Sequence, residues 1–305
     1  MQRIAGVLAI LGALYSGRIA ALGASQSTGV QLINAGRVEE ALKAFQADLA
    51  LDPKSVAANN GAAVALDLMG RYAEARPNFS SAIKAAHKPL ERALAERAMA
   101  IGYGFAADCA NAEKLEKRAF EFYLETNDFP NAGDVADELG RLCLDAGDFD
   151  RASEWYQRGH DTGFQEQDIS GARRDLWDFR LAHARARIAV RRGKASDARK
   201  QVAKAREILD RGRIPGQEPY FAYLEGYIAF YSRDYRAALE ALNRASENDP
   251  FIECLLGQTY EALGDRVQAS GFYRRAAATK AHSVPAAYAQ PFARKKLASW
   301  NVGAP

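Results

Sequence analysis

Apolar positions recur along most of the chain with the period of an α-helix. The clearest pattern runs from Pro219 to Ala276, where two consecutive segments each consist of an apolar helix, a tight turn and a second, amphipathic helix. A glycine lies seven residues before each turn residue, Gly226 before Arg233 and Gly257 before Gly264. The sequence lacks sustained strand-like alternation of apolar and polar residues, which predicts an all-α protein.

The second helix of each segment repeats the same residue types at the same distances from the turn. An alanine, a large apolar residue and another alanine follow in that order: Ala238, Leu242 and Ala245, then Ala269, Tyr273 and Ala276. This pattern resembles the tetratricopeptide repeat, a helix–turn–helix unit of about 34 residues. The resemblance implies a right-handed α-solenoid in which the first helix of each unit lines a concave surface.

The same spacing predicts six or seven units between residues 24 and 283. Turns are expected near Gly36, Gly70, Gly147 and Gly193, with a degenerate one near Gly104, in addition to those at Arg233 and Gly264. Residues 284–305 are expected to form a capping helix, interrupted at Pro291, and a tail. A cap is needed because the last repeat has no neighbour to cover its apolar face.

The first 23 residues have the layout of an export signal. Arg3 precedes the apolar run Ile4–Tyr15, which is short for a membrane span, and the small residues Ala21 and Gly23 follow. We therefore expect an exported protein of bacterial type, periplasmic or secreted. The alternative is an uncleaved segment that anchors the chain in the inner membrane.

The sequence has three cysteines, Cys109, Cys143 and Cys254, which do not make a disulfide framework. Because their number is odd, at least one is free or pairs with another molecule. A Cys109–Cys143 bridge is an alternative in an exported chain, because the two residues would lie in adjacent repeats. Cys143 falls on the apolar face of its helix, however, and a free cysteine behaves as a small buried apolar residue. We expect free, buried thiols.

The sequence carries no signature of an enzyme. It has no P-loop, no nucleotide-binding glycine loop and no G-x-S-x-G motif, and its four histidines lie too far apart for metal-ligand spacing. Residues 171–215 contain 14 Lys and Arg against 5 Asp and Glu, but these basic residues fall around both helices and not on the single face that phosphate binding needs. We expect no catalysis, no cofactor, no metal and no nucleic acid.

The resemblance implies that residues 13, 10, 6 and 3 positions before a turn line the concave surface. In the fifth and sixth repeats these include two arginines, a histidine and three tyrosines, and in the seventh a glutamine: Arg180, His183, Arg187, Tyr220, Tyr223, Tyr227 and Gln258. Guanidinium groups bind carboxylates, and tyrosines offer rigid amphipathic contact area. The alternative is that the tyrosines pack between repeats and the arginines pair with Asp175, Asp178 and Asp197.

These residues predict a non-catalytic interaction scaffold that holds a protein or peptide partner in the concave groove. Two alternatives stay open: a structural subunit of a membrane-associated envelope assembly, and an envelope protein that binds or processes glycans. An enzyme would need polar groups with perturbed pKa values in the groove. Asp137 and Arg141 are poor candidates, because we expect them to pair with each other.

Overall fold

The structure, a computed structural model, describes residues 28–246 and 248–301; the predicted export signal lies outside the described residues. Fifteen α-helices occupy the described part of the chain and no strand accompanies them there. The all-α prediction is confirmed. Among these helices, none is long and apolar enough to cross a membrane.

The first fourteen helices form seven consecutive pairs. They are α1 (Thr28–Asn34) with α2 (Val38–Leu51), α3 (Val56–Leu68) with α4 (Tyr72–Ala85), α5 (Pro89–Phe105) with α6 (Cys109–Glu125), α7 (Phe129–Ala146) with α8 (Phe149–Gly163), α9 (Gly171–Arg191) with α10 (Ala195–Asp210), α11 (Glu218–Tyr231) with α12 (Tyr235–Leu242), and α13 (Pro250–Ala262) with α14 (Arg266–Ala277). A fifteenth helix, α15 (Val284–Asn301), follows the last pair. The pairs pack in sequence as a solenoid of tetratricopeptide-like repeats.

All seven turns within the pairs contain a left-handed residue, and at four of them an aspartate then caps the second helix. At the turn between α7 and α8, Gly147 has φ 89° and the Asp148 side chain then accepts the backbone N–H of Arg151. The left-handed residue ends one helix, and the aspartate satisfies a free N–H at the start of the next. The left-handed residue, which all seven turns share, therefore sets where the first helix of each pair ends.

The third turn differs from the sequence prediction. Helix α5 runs through Gly104, and the chain turns at Ala107, which adopts φ 55° without being a glycine. Asp108 caps α6 as the aspartates of other turns do. Gly104 serves close packing instead, since a Cβ there would meet the Leu142 side chain at 2.4 Å.

Close approach of the two helices in a pair depends on a small residue that faces a large one. A Cβ on Gly257 would lie 2.7 Å from the Tyr273 ring, nearer than carbon atoms approach without displacement. Tyr273 is fully buried, as is Phe45, whose ring occupies the corresponding place beside Gly29 in the first pair. The alanines and glycines of the repeat pattern therefore set the distance between the helices.

The C-terminal helix α15 is continuous, so the interruption expected at Pro291 is wrong. A proline inside a helix removes one backbone hydrogen bond and costs about 3 kcal/mol relative to alanine. Packing outweighs this cost, because α15 contacts α5, α7, α13 and α14. Three of these four are first helices of their pairs, so α15 lies on the side that the first helices line.

The segment that leads into α15 also fastens the end of the chain to its beginning. Lys280 Nζ donates to the Asn34 carbonyl oxygen at 3.2 Å, and Arg294 Nη2 donates to the Leu68 carbonyl oxygen at 2.6 Å. Between them, the buried His282 Nε2 lies 3.0 Å from Asp67 Oδ2. The C-terminal segment thus closes the solenoid across its concave side.

The expectation of free thiols is wrong for two of the three cysteines. Cys109, at the start of α6, forms a disulfide with Cys143 on α7, across a sequence separation of 34 residues. The two residues lie in adjacent repeats, which brings their sulfur atoms together. Cys254 is free and buried, as expected, and burial raises the pKa of its thiol, so it stays protonated.

Candidate functional site: a buried arginine–tyrosine cluster

Five of the seven predicted groove residues come together where α9 meets α11. They are His183 and Arg187 of α9 with Tyr220, Tyr223 and Tyr227 of α11. His183 Nε2 donates to the Tyr220 carbonyl oxygen at 3.2 Å, and its ring centroid is 5.4 Å from that of Tyr223. The Arg187 Cζ atom lies 6.0 Å from the centroid of Tyr227. The spacing prediction therefore selected residues that are neighbours in the fold.

The other two predicted residues lie apart from this group. Arg180 turns toward α7, where its Nη1 donates to Asp134 Oδ1 at 2.7 Å and lies 3.8 Å from Asp137 Oδ2. Gln258 on α13 is half-buried and lies beside Cys254 of its own helix. Asp175, a predicted partner of the arginines, is instead bound by Arg211 and Arg213.

Arg187 is the most unusual member of the site. Its side chain is 4% exposed, and it donates one hydrogen bond, from Nη2 to the Tyr156 hydroxyl oxygen at 2.9 Å. Its Nε and Nη1 atoms have no hydrogen-bond partner, and no carboxylate in the described part of the chain lies within 4 Å of the guanidinium. A buried charge without a counter-ion is expensive, so this position calls for an explanation.

A second arginine belongs with Arg187, although the sequence analysis considered it only as a partner of Asp137. Arg141 on α7 is buried, and its Cζ lies 5.9 Å from the Tyr223 centroid and 4.2 Å from that of Phe251. It lies six residues before its turn residue, Gly147, at the same repeat position as Arg187 and Tyr227. Repeat spacing thus places all three residues on one stripe, and the structure shows that they pack together.

The expected pairing of Arg141 with Asp137 is wrong. Arg141 Nε donates to Asp145 Oδ2 at 2.7 Å, while its Nη2 has no partner. Asp137 faces Arg180 on the neighbouring helix instead. Burial raises the pKa of Asp137 to about 7, with Arg180 opposing the shift and Asp134 adding to it.

His183 and Tyr223 are both uncharged at neutral pH. Burial, and then the charges of Arg187 and Arg141, hold the pKa of His183 well below its usual value. Burial raises the pKa of Tyr223 to about 12, although both arginines oppose the shift. The Tyr223 hydroxyl is buried without a hydrogen-bond partner. At neutral pH the site thus presents uncharged imidazole and phenol groups around two cations.

We call Arg141, Tyr156, Arg187, Tyr223 and Tyr227 the Arg–Tyr cluster. Tyr223 and Tyr227 are 4% and 0% exposed, so they do not line an open groove as the sequence analysis supposed. Helix α15 covers this side, with the Tyr288 ring centroid 5.1 Å from that of Phe251, which in turn contacts both tyrosines. The role of these residues in binding a partner stays a prediction.

Two segments of the chain, residues 29–89 and 223–284, match the sequence profile of the tetratricopeptide repeat. These two segments of the chain are similar to tetratricopeptide repeats. Proteins of this kind typically mediate protein–protein interactions, and the repeat is usually non-catalytic. No curated protein matches the sequence at a significant level.

Solved structures share the fold at low sequence identity. The apo form of RapI superimposes with a TM-score of 0.55 at 12% identity, over 89% of this chain and 96% of RapI. A Rap protein complexed with Competence and Sporulation Factor gives 0.51 at 15% identity, over 89% of this chain and 74% of that one. A tetratricopeptide repeat protein from Parabacteroides merdae gives 0.50 at 13% identity, over 81% and 89%. These similarities establish the solenoid and nothing about ligands.

Among the described residues, no group of three or more His, Cys, Asp and Glu side chains is arranged to hold a metal ion. The polar groups that the structure does bring together are chiefly donors: two guanidinium groups, a phenol and a neutral histidine. Such an arrangement is suited to recognising negative charge.

Proposed function

We propose that this protein is a non-catalytic scaffold that binds a helical segment of a protein or peptide partner on its concave side, in the place that α15 occupies. The observation that carries the proposal is α15 itself, a helix held against the first helices of three repeats. An apolar helix face laid in a groove is a common mode of peptide recognition. In the free protein, α15 would then act as an internal occupant of the binding surface.

The composition of α15 supports the proposal that a partner helix can replace it. Its buried face consists largely of alanines (Ala286, Ala287, Ala289 and Ala293) with Tyr288 and Phe292 beside them. Alanines give close contact with little apolar area, so each contributes less to binding than a leucine would. Pro291 lowers the intrinsic helicity further, so the segment would lose its helical structure when released.

A structural neighbour supports the same idea. A Rap protein with this fold was crystallised in complex with Competence and Sporulation Factor. A solenoid of this shape is therefore compatible with ligand binding, which we extend to this chain as part of the proposal.

We further propose that the protein is exported, as its first 23 residues predict. The disulfide between Cys109 and Cys143 supports this proposal, because disulfides persist mainly in oxidising compartments. The proposed partner is then another protein of the cell envelope or its exterior. A mature chain that begins at Met1 would contradict cleavage of the segment.

The groove proposal is tested by weakening the hold on α15 and offering the same helix in trans. The full-length Ala287→Glu/Ala293→Glu variant places two charges at buried positions of α15, one beside Gly104 of α5 and one against α13 and α14. We expect this variant to bind a fluorescent peptide of residues 280–301, as measured by anisotropy, whereas the parent protein does not. The reason is that burial of each unpaired carboxylate is costly, which expels the internal helix.

Ala298→Glu is the matched control, because Ala298 is an exposed residue of the same helix and its substitution leaves α15 docked. Circular dichroism verifies that the repeats of each variant remain helical. A folded double variant that does not bind the peptide would refute an exchangeable groove.

A further inference from the structure

The unpartnered donors of the Arg–Tyr cluster are buried and belong to side chains that pack together. They are Nη2 of Arg141, Nε and Nη1 of Arg187 and the hydroxyl of Tyr223. The three residues come from first helices of three consecutive repeats. The Tyr223 ring centroid is 5.9 Å from Arg141 Cζ and 5.9 Å from the Tyr227 centroid, and Tyr227 lies 6.0 Å from Arg187 Cζ.

The charges of the surroundings leave one positive charge without compensation. Asp145 balances Arg141 at 2.7 Å, with the buried Asp249 also attracted to Arg141, and the Arg180 side chain is balanced by Asp134 at the same 2.7 Å distance. Asp137, the remaining acid near Arg187, lies closer to Arg180 and has a pKa of about 7. Buried charges in proteins are normally paired, so Arg187 requires one negative charge that the described part of the chain does not supply.

We infer that the Arg–Tyr cluster is a buried binding site for one carboxylate group, held by Arg141, Arg187 and Tyr223. A carboxylate carries a single charge and about four acceptor sites, which matches the one uncompensated charge and the four unpartnered donors. A phosphate dianion fits less well, because its second charge would face Asp145 and Asp137. Guanidinium and phenol groups are strong donors to a carboxylate when water is excluded.

The carboxylate group would belong either to a free small acid or to an acidic side chain of a partner segment. The site lies beneath α15, since Phe251 separates Arg141 from Tyr288 at ring distances of 4.2 and 5.1 Å. A small acid would enter during local opening of α15. A partner segment would bring its acidic residue when it replaces α15, and this second source rests on the proposed function.

The site is tested first with sodium acetate on the full-length protein, by isothermal titration calorimetry after long equilibration at constant ionic strength. We expect acetate to bind in the parent protein and binding to weaken at least about tenfold in Arg187→Met, which removes the charge but keeps the length of the side chain. We also expect Arg187→Met without acetate to melt at a higher temperature than the parent, because an unpaired buried charge is replaced by an apolar group. Tyr223→Phe removes only the unpartnered hydroxyl and should weaken acetate binding by about three- to tenfold.

Arg191→Met is the matched control, because Arg191 lies on the same helix and contacts Tyr227 and Tyr231 but is partly exposed. It should leave acetate binding unchanged. Equal acetate binding by the parent and Arg187→Met, or no binding by the parent together with an unchanged or lower melting temperature of Arg187→Met, would overturn the site.

The source is tested with the Ala287→Glu/Ala293→Glu variant and two peptides of residues 280–301, one unchanged and one with Tyr288→Glu. Tighter binding of the Tyr288→Glu peptide, lost on adding Arg187→Met to the variant, supports a partner's carboxylate. Acetate binding with no binding of either peptide supports the free acid, and in that case the exchangeable groove fails while the carboxylate site stands. Equal affinity of the two peptides, insensitive to acetate, contradicts a carboxylate site in the groove.

Discussion

The segments that match the repeat family, residues 29–89 and 223–284, and the segment between them use the same packing device but bury different chemistry. In both regions a glycine faces an aromatic ring within a helix pair: Gly257 faces Tyr273 in one, and Gly140 faces Tyr156 in the other. The matching segments bury chiefly apolar side chains, with Asp67 and His282 as the pair that closes the solenoid.

The intervening segment, which the family profile does not match, differs in the groups that it buries. It contains the disulfide and most of the buried charges, among them Glu116, Asp137, Arg141 and Arg187. The comparison teaches that the repeat pattern specifies helix packing, whereas the candidate site spans both regions: its arginines lie in the intervening segment, and Tyr223 and Tyr227 lie in a matching one.

The largest effect is expected from removing the disulfide of the intervening segment. The Cys109→Ala/Cys143→Ala variant should lose about 4 kcal/mol of unfolding free energy, because the bridge restricts a loop of some 35 residues in the unfolded chain. Urea denaturation measures the loss. Cys254→Ala is the control, since it removes a buried sulfur atom that is not cross-linked. If both variants lose the same free energy, the intervening segment does not depend on its covalent link.

A smaller effect is expected from overpacking the matching segment. Gly257→Leu should lower the unfolding free energy by about 2–3 kcal/mol, because its side chain would collide with the buried Tyr273 ring. Gly271→Leu, on the neighbouring helix α14, is the control: a Cβ at Gly271 meets no atom within 4 Å. Thermal melting compares the two. Equal melting temperatures would show that the glycine of the repeat does not set the distance between the helices.

The smallest effect is a pH dependence of the unfolding free energy that comes from Asp137 of the intervening segment. Burial raises its folded-state pKa to about 7 from an ordinary value of 3.8, so the folded protein holds a proton that the unfolded chain releases between these values. Stability from this residue is therefore greatest at low pH and falls as pH rises toward 7. Between pH 5 and pH 7 we expect a loss of about 2 kcal/mol.

The measurement is the difference in unfolding free energy between the parent and Asp137→Asn across this pH range. The groups that face Asp137 are Arg180, Asp134, Arg187 and Glu138, and all remain in the variant. Other buried acids contribute to both proteins and cancel in the difference. A difference that stays constant with pH would mean that Asp137 is ionised in the folded protein throughout.

Much of the fold follows from local sequence, because the signals that specify it act within a few residues. Helical periodicity, a left-handed residue at the turn and an aspartate cap one residue later place most helix boundaries. The third turn escaped because Ala107 adopts the left-handed conformation without being a glycine, although Asp108 carried the capping signal. The groove positions also came from repeat spacing, and this identified five residues that the fold brings together.

Only the tertiary structure decided which residue each buried arginine or cysteine pairs with. Asp137 and Asp145 are both four residues from Arg141 along α7, so local spacing cannot choose between them. The structure chooses Asp145, because Arg180 of α9 reaches across to Asp137. The disulfide has the same origin, since it depends on the distance between two helices of different repeats.

The sequence by itself determined that this chain forms pairs of helices in a solenoid, because the spacing of small and apolar residues is a local property. The sequence did not determine where α15 runs, nor that α15 covers the concave side. A face of alanines and aromatic residues is compatible with capping the last repeat or with lying across the concave side. Contacts with α5, α7 and residues of the first two pairs decide the second outcome, and those with the first two pairs join residues more than 200 positions apart. The tertiary structure thereby turned a predicted open groove into a covered one, with an unpaired arginine beneath the cover.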